Sequence, residues 1–179
     1  ANSGRAEWIA DDLIAQAEHD PDARAIFVTT NTALAQSVKT ALAAQTPHEG
    51  PAAQSLARNG QVIVTRTIAA AIASVNAIAP EHLVIDRAED VDRFTAAGTI
   101  FIGAWSAQAA GDYTTGSNHV LPTSGAARFR GGLSAADFTR VFTVQTLTRA
   151  GIRAIGPAAA TLADAEGLRA HATSIRRRL

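Results

Sequence analysis

The stretch GQVIVTRTIAAAIASVNAIAPEHLVID, residues 60–86, decides the predicted fold. An apolar run in 60–66 indicates a short strand, the alanine-rich run at 67–79 indicates a helix that Pro80 ends, and 82–86 indicates a second strand. The apolar positions in the strands are continuous rather than alternating, which is typical of parallel strands covered by helices. The stretch therefore predicts a strand–helix–strand unit of an α/β protein.

The same alternation extends to both sides of this unit. Upstream, residues 4–19 have the apolar spacing of an amphipathic helix, 23–30 contain a short apolar run, and a further helical pattern begins with Asn31 or Thr32 as its N-cap. Downstream, the run at 98–104 indicates a fourth strand. We predict an α/β fold with a mostly parallel, Rossmann-like but incomplete sheet and flanking helices.

The character of the chain changes near Ser134. Residues 134–152 and 156–179 have helical patterns with glycine and proline between them, and 142–147 is the only candidate strand. We therefore expect an α/β body over 1–133 and a helical tail over 134–179.

Composition excludes several classes of protein. Sixteen basic residues balance sixteen acidic ones, so no overall charge attracts nucleic acid or an anionic membrane. The absence of cysteine excludes disulfides and thiolate metal sites and agrees with a reducing cytoplasm. The apolar runs are too short and too diluted with alanine to span a membrane. The chain contains no methionine, so we expect its numbering to start inside a longer protein or after processing.

The segment GDYTTGSNHVLP, residues 111–122, is the strongest candidate for a binding loop. It brings Asp112 and His119 together with two glycines and a proline, and such tightly turned loops carry binding groups when a scaffold fixes them.

Three further pairs of polar residues have competing interpretations. Gln16 and His19 share a helix face and could point at one ion or substrate, but a solvated helix end explains them equally well. Glu81 and His82, taken alone, indicate no site, because neighbouring side chains diverge around a turn. Glu166 and His171 are about 140° apart on a helix and can point one way only if the helix breaks at Gly167. His48 has no partner nearby and is expected to be exposed.

Four stretches, in this order, resemble the histidinol dehydrogenase family. They are WIADDLIAQAEHDPDA (8–23), APEHLVI (79–85), AGTIFIGAWSAQAAGDYTTGSNHVLPTSGAARFRGGLS (97–134) and EGLRAHATSIRRRL (166–179), and the resemblance runs across essentially the entire chain. The resemblance implies oxidation of L-histidinol through L-histidinaldehyde to L-histidine with two NAD, in histidine biosynthesis. It also implies bound zinc and a homodimer with a shared active site.

The resemblance assigns roles to eight residues. Zinc is bound by Gln16, His19, Asp112 and His171, and all four can also contact substrate. Glu81 and His82 are the acid/base residues, and His82 also contacts substrate. His119 and Glu166 hold substrate. Ser117 stands where many members have proline, a change that we expect to matter little.

The resemblance also implies a part that these residues do not supply. No glycine-rich phosphate loop follows a strand here, so we place no NAD contact on this chain and expect the NAD site on a preceding part. The body is then part of a split domain, the tail serves dimerisation, and the 179 residues alone are expected to be inactive.

Two other functions compete with the enzyme. One is a truncated, non-catalytic paralogue that binds zinc or an imidazole. The other is a zinc hydrolase with Glu81 as base, which is disfavoured because four protein ligands leave less room for the zinc-bound water that hydrolysis needs.

Overall fold

Four short parallel strands form where apolar runs predict them. A computed structural model describes Ala1–Leu179 and contains β1 (Ile26–Thr29), β2 (Gln61–Val64), β3 (His82–Ile85) and β4 (Thr99–Ile102). β1 pairs with β2 and β3 with β4, both in parallel, with Ile26 opposite Gln61 and His82 opposite Thr99. The predicted α/β class and parallel pairing are confirmed.

The strands form two separate pairs instead of one continuous sheet. A cleft of about 1470 Å³ has residues of both β1 and β3 in its lining, among them Phe27 and Leu83. β1 and β3 have no hydrogen bonds to each other, so the four strands do not form the single sheet that was predicted.

The helices connect and cover these strands. Before residue 80 the chain contains α1 (Ala6–Ala17), α2 (Thr32–Gln45), α3 (Pro51–Asn59) and α4 (Ile68–Ile78). Asn31 is the N-cap of α2 and its side chain accepts a hydrogen bond from the Leu34 N–H at 3.0 Å. Helix α3 was not predicted, because the turn residues of 46–51 indicate only a break. Pro51 in fact starts the new helix, in the first turn where its missing N–H costs nothing.

Small side chains bring the helices close to each other. Ala17 of α1, Ala25 and Ala52 of α3 form a buried cluster, with Leu13 and Leu56 packed against it. This packing fixes the C-terminal end of α1, where Gln16 and His19 are found.

The chain divides into two units, Ala1–Phe138 and Thr139–Leu179. The prediction of a helix over 134–152 is largely wrong: a short 3-10 turn covers Ala135–Phe138, residues 139–148 form neither helix nor strand, and α5 starts at Arg149. The apolar side chains of 139–148 are exposed, so they find no packing surface within the unit to support a helix.

The second unit is a pair of helices, α5 (Arg149–Ala165) and α6 (Arg169–Arg176). They pack through Ala160, Ala163 and Ala172, and Gly167 separates them with a φ of +76°. No helix of the chain has both the length and the hydrophobicity needed to cross a membrane.

Candidate functional site

The end of α1 presents Gln16 and His19 to the rest of the first unit. Gln16 Oε1 lies 3.2 Å from Nδ1 of His82, so this side chain already contacts a second candidate residue. The His19 imidazole is 44% exposed and its Nε2 lies 3.6 Å from Oδ2 of Asp112. The pair is therefore part of a cluster and not only a solvated helix end.

Glu81 and His82 lie where β3 begins, next to the loop that contains His119. The backbone at Gly98 comes very close to them: a Cβ there would lie 2.6 Å from the Glu81 carbonyl oxygen and 2.9 Å from the Pro122 ring. Glycine at this position lets the end of the 111–122 segment pack directly on the start of β3 and β4. Two motifs forty residues apart in sequence thus meet.

Asp112 is the centre of the cluster. Its side chain is only 4% exposed, and three imidazoles face its carboxylate. Nε2 of His19 is 3.6 Å away, Nε2 of His82 is 3.7 Å away, and Nδ1 of His119 is 3.1 Å away. A buried carboxylate needs such partners, because an isolated charge is costly in an apolar environment.

Close packing of Phe101 against His82 and Gly111 supports this arrangement. The Phe101 ring is buried and meets the His82 ring edge-on, with 5.5 Å between the centroids. Gly111 precedes Asp112, and a Cβ added to it would lie 2.5 Å from Phe101 Cζ. The Ser117 hydroxyl donates to the Gly111 carbonyl oxygen at 3.0 Å and closes the loop. Ser117 thus restrains the loop through its side chain.

Gly111→Ala is expected to destabilise the protein and disturb the cluster. The new methyl group must displace Phe101, which contacts His82, and overpacking of this kind costs about 1–3 kcal/mol in unfolding free energy. Gly131→Ala is the matched control, since nothing lies within 4 Å of a Cβ there. Urea unfolding of both variants measures the difference. Equal stabilities would show that the close approach at Gly111 has no energetic consequence.

Burial shifts the proton affinities of the two proposed acid/base residues. Burial lowers the pKa of His82, the Asp112 carboxylate offsets part of that effect, and the His19 and His119 imidazoles lower it further. Burial raises the pKa of Glu81, with His19 acting against the shift and Asp112 adding to it. Both groups are therefore moved toward their uncharged forms, as acid/base residues of active sites often are.

Zinc fits part of the donor set. The 3.6 Å between His19 Nε2 and Asp112 Oδ2 is close to the roughly 3.4 Å expected between two ligands of tetrahedral zinc. Gln16 contacts His82, which faces the same carboxylate, and its amide oxygen has a second lone pair besides the one facing His82. The four side chains of the cluster do not, however, form a group of three or more His, Asp or Glu arranged to hold a metal ion. A complete site therefore needs Gln16 and a further ligand.

The other two predicted site residues lie in the second unit. Glu166 and His171 are exposed on either side of Gly167, where the helix breaks. The sequence predicts that only such a break lets the two side chains point in one direction. His48 is exposed in the loop before α3, as expected.

Sequence reasoning missed three residues next to the cluster. Asp12 lies four and seven residues before Gln16 and His19, so the helical period could have revealed it on the same face. Phe101 and Gln108 are buried through contacts distant in sequence, and no local signal marks them.

Comparison with known proteins gives the family. The model of the family described as Histidinol dehydrogenase matches residues 1–179. Histidinol dehydrogenase of Legionella pneumophila (strain Paris) is 46% identical over 97% of this chain and 41% of that protein. The protein of the same name from Cereibacter sphaeroides is 45% identical over the same shares.

A solved structure agrees with the sequence relatives. The crystal structure of histidinol dehydrogenase from Elizabethkingia anophelis superposes with a TM-score of 0.86 at 37% identity, and covers 97% of this chain and 41% of that one. The chain thus spans about 41% of the length of the relatives it matches. On this evidence, the chain belongs to the histidinol dehydrogenase family.

Proposed function

We propose that this chain supplies the zinc- and substrate-binding part of an NAD-dependent histidinol dehydrogenase. The longer enzyme would oxidise L-histidinol through L-histidinaldehyde to L-histidine with two NAD, and it would work in the cytoplasm. The observation that carries the proposal is the convergence of three imidazoles on the buried Asp112 carboxylate. Family membership supports an oxidoreductase of histidine biosynthesis.

Two cofactors complete the proposal. Gln16, His19 and Asp112, together with His171, would hold zinc, which supplies an anchor for the imidazole and amine of histidinol. NAD supplies the hydride acceptor, and we place its site on protein outside these 179 residues.

His82 is the proposed base for the alcohol. With the Gln16 oxygen as acceptor, His82 Nδ1 carries the proton and Nε2 is free to take another. Nε2 would take the hydroxyl proton as the substrate carbon gives up a hydride, which converts the alcohol to the aldehyde.

Glu81 is the proposed base for the second oxidation. It would take a proton from the water that adds to the aldehyde and return it to the aldehyde oxygen, which gives the hydrate. The hydrate would then give a hydride to NAD and a hydroxyl proton to a base, and so become the carboxylic acid. His119, 67% exposed, and Glu166 would contact the substrate during both steps.

The domain assignment is part of the proposal. Residues 1–133 form the body, one part of a split domain, and residues 134–179 form a dimerisation tail. The separation of the strands into two pairs supports a split domain, since β1 and β3 each have one unpaired edge. We propose a homodimer and no nucleic-acid or membrane partner.

Glu81→Gln is expected to impair the second oxidation more than the first. Loss of a general base costs about 10²- to 10⁴-fold in rate, and only oxidation of the aldehyde requires an activated water. Rates with histidinol and histidinal, measured separately on the full-length enzyme, test this division of roles between His82 and Glu81. Glu49→Gln, at an exposed position, is the control and should leave both rates unchanged. Equal losses in both half-reactions would contradict the assigned roles.

A further inference from the structure

Gln108 is a buried polar residue at the start of the 3-10 turn Gln108–Asp112. It is only 3% exposed. Its Nε2 donates to the backbone carbonyl oxygen of Asp12 at 3.4 Å, while its Oε1 is buried without a hydrogen-bond partner. An unpaired buried amide oxygen disfavours folding, so stability alone does not account for glutamine at this position.

The same two residues make a second contact. Burial and the neighbouring Asp11 carboxylate raise the pKa of Asp12 to about 6, and the nearby backbone of Gln108 acts against this rise. The start of the turn therefore lies against α1 with both its backbone and its side chain.

These contacts lie on the face of α1 that points to the cluster. Asp12 and Gln16 are four residues apart in α1 and share that face, and His19 lies two residues beyond the end of the helix. The turn meets it at two places, with Gln108 against Asp12 and Asp112 against His19. The contact between Gln108 and Asp12 therefore constrains the distance between the Asp112 carboxylate and the His19 imidazole.

We infer that Gln108 is a positioning residue that fastens the Asp112 turn to α1 and so sets the spacing between Asp112 and His19. The inference rests on the proposed function, in which these two side chains bind zinc. Partners that orient metal ligands from outside typically change metal affinity by about 10- to 100-fold when they are removed.

Gln45 provides a closely matched control. Its Nε2 donates to Asp11 Oδ1 at 2.8 Å and to the Glu7 carbonyl oxygen at 3.4 Å, and its Oε1 is also buried and unpaired. It therefore ties α2 to the same helix α1 with the same chemistry. No residue of the cluster is attached to α2.

The experiment compares Gln108→Met with Gln45→Met in the full-length enzyme. Methionine keeps the length of the side chain and removes the donor. We expect Gln108→Met to raise the zinc Kd at least about tenfold and Gln45→Met to change it less than about twofold, with similar losses in Tm. Activity of Gln108→Met should fall at limiting zinc and recover in excess zinc.

Each outcome decides the inference. Equal zinc affinity in wild type and Gln108→Met would overturn it, as would an equal loss in both variants. Should Gln108→Met not fold, Gln108→Leu gives the same measurement, because an apolar side chain likewise cannot donate to the Asp12 carbonyl. A wild-type enzyme that binds no zinc would overturn both the proposed function and this inference. Tight zinc binding by both the wild type and Gln108→Met would overturn this inference alone.

Discussion

Full-length protein with His19→Ala is expected to bind no zinc, whereas the wild type binds about one ion per active site. His19 Nε2 is the imidazole donor that faces Asp112 Oδ2 at ligand spacing. Under the proposed function its removal takes away a zinc ligand, so we expect a loss larger than the roughly 10- to 100-fold typical of an outer partner. Metal analysis after dialysis against a weak chelator measures the stoichiometry.

His48→Ala is the control for this experiment. It removes an imidazole from an exposed loop position away from the cluster, and zinc content should remain that of the wild type. Activity should be lost only in His19→Ala. Unchanged zinc stoichiometry in His19→Ala would remove the zinc site from the proposal, whatever happens to activity.

The local elements of the first unit could be predicted from sequence because their patterns are local. Continuous apolar runs gave the four strands, and the Asn31 cap marked the start of α2. The lack of helix and strand in 139–148 could not be predicted in this way. Its apolar residues follow a spacing compatible with a helix, yet they are exposed, and a helix without a packing surface is poorly stable.

The cluster was predictable only in part, for a related reason. Asp112 and His119 belong to one loop, and their contact follows from seven residues of separation. The contacts of Asp112 with His82 and of Gln108 with Asp12 depend on how β3, β4 and α1 pack. No residue pattern within one element encodes those distances, so the sequence indicated the members of the cluster through family resemblance and not their arrangement.

The second large effect is expected on mixing two inactive variants. We propose that each active site combines the body of one subunit with Glu166 and His171 from the tail of the other. Two observations support exchange of tails. Glu166 and His171 are exposed in the second unit, and so are the apolar side chains of Ile155 (53%), Leu162 (65%) and Leu168 (43%). A short helical pair with this much exposed apolar surface needs a partner, and a second copy offers one at low cost.

The experiment mixes full-length His19→Ala with full-length His171→Ala under conditions that exchange subunits. In a heterodimer with shared sites, one site lacks both ligands and the other is intact. Random exchange makes about half of the dimers mixed, so activity should rise from almost none to about a quarter of the wild-type value. Mixing His19→Ala with Asp112→Ala is the control, because both changes lie in the body and every site stays defective.

The alternative is a tail that completes the site of its own subunit. Each site of the mixed dimer would then lack either His19 or His171, and mixing would restore nothing. Mass spectrometry of the mixed dimer establishes subunit exchange independently. An absence of recovered activity then cannot be attributed to a failure of exchange. Recovery of activity in the first mixture but not in the control requires ligands from two chains. No recovery from proven heterodimers would overturn the shared site. It would not overturn zinc binding, which the His19→Ala measurement tests separately.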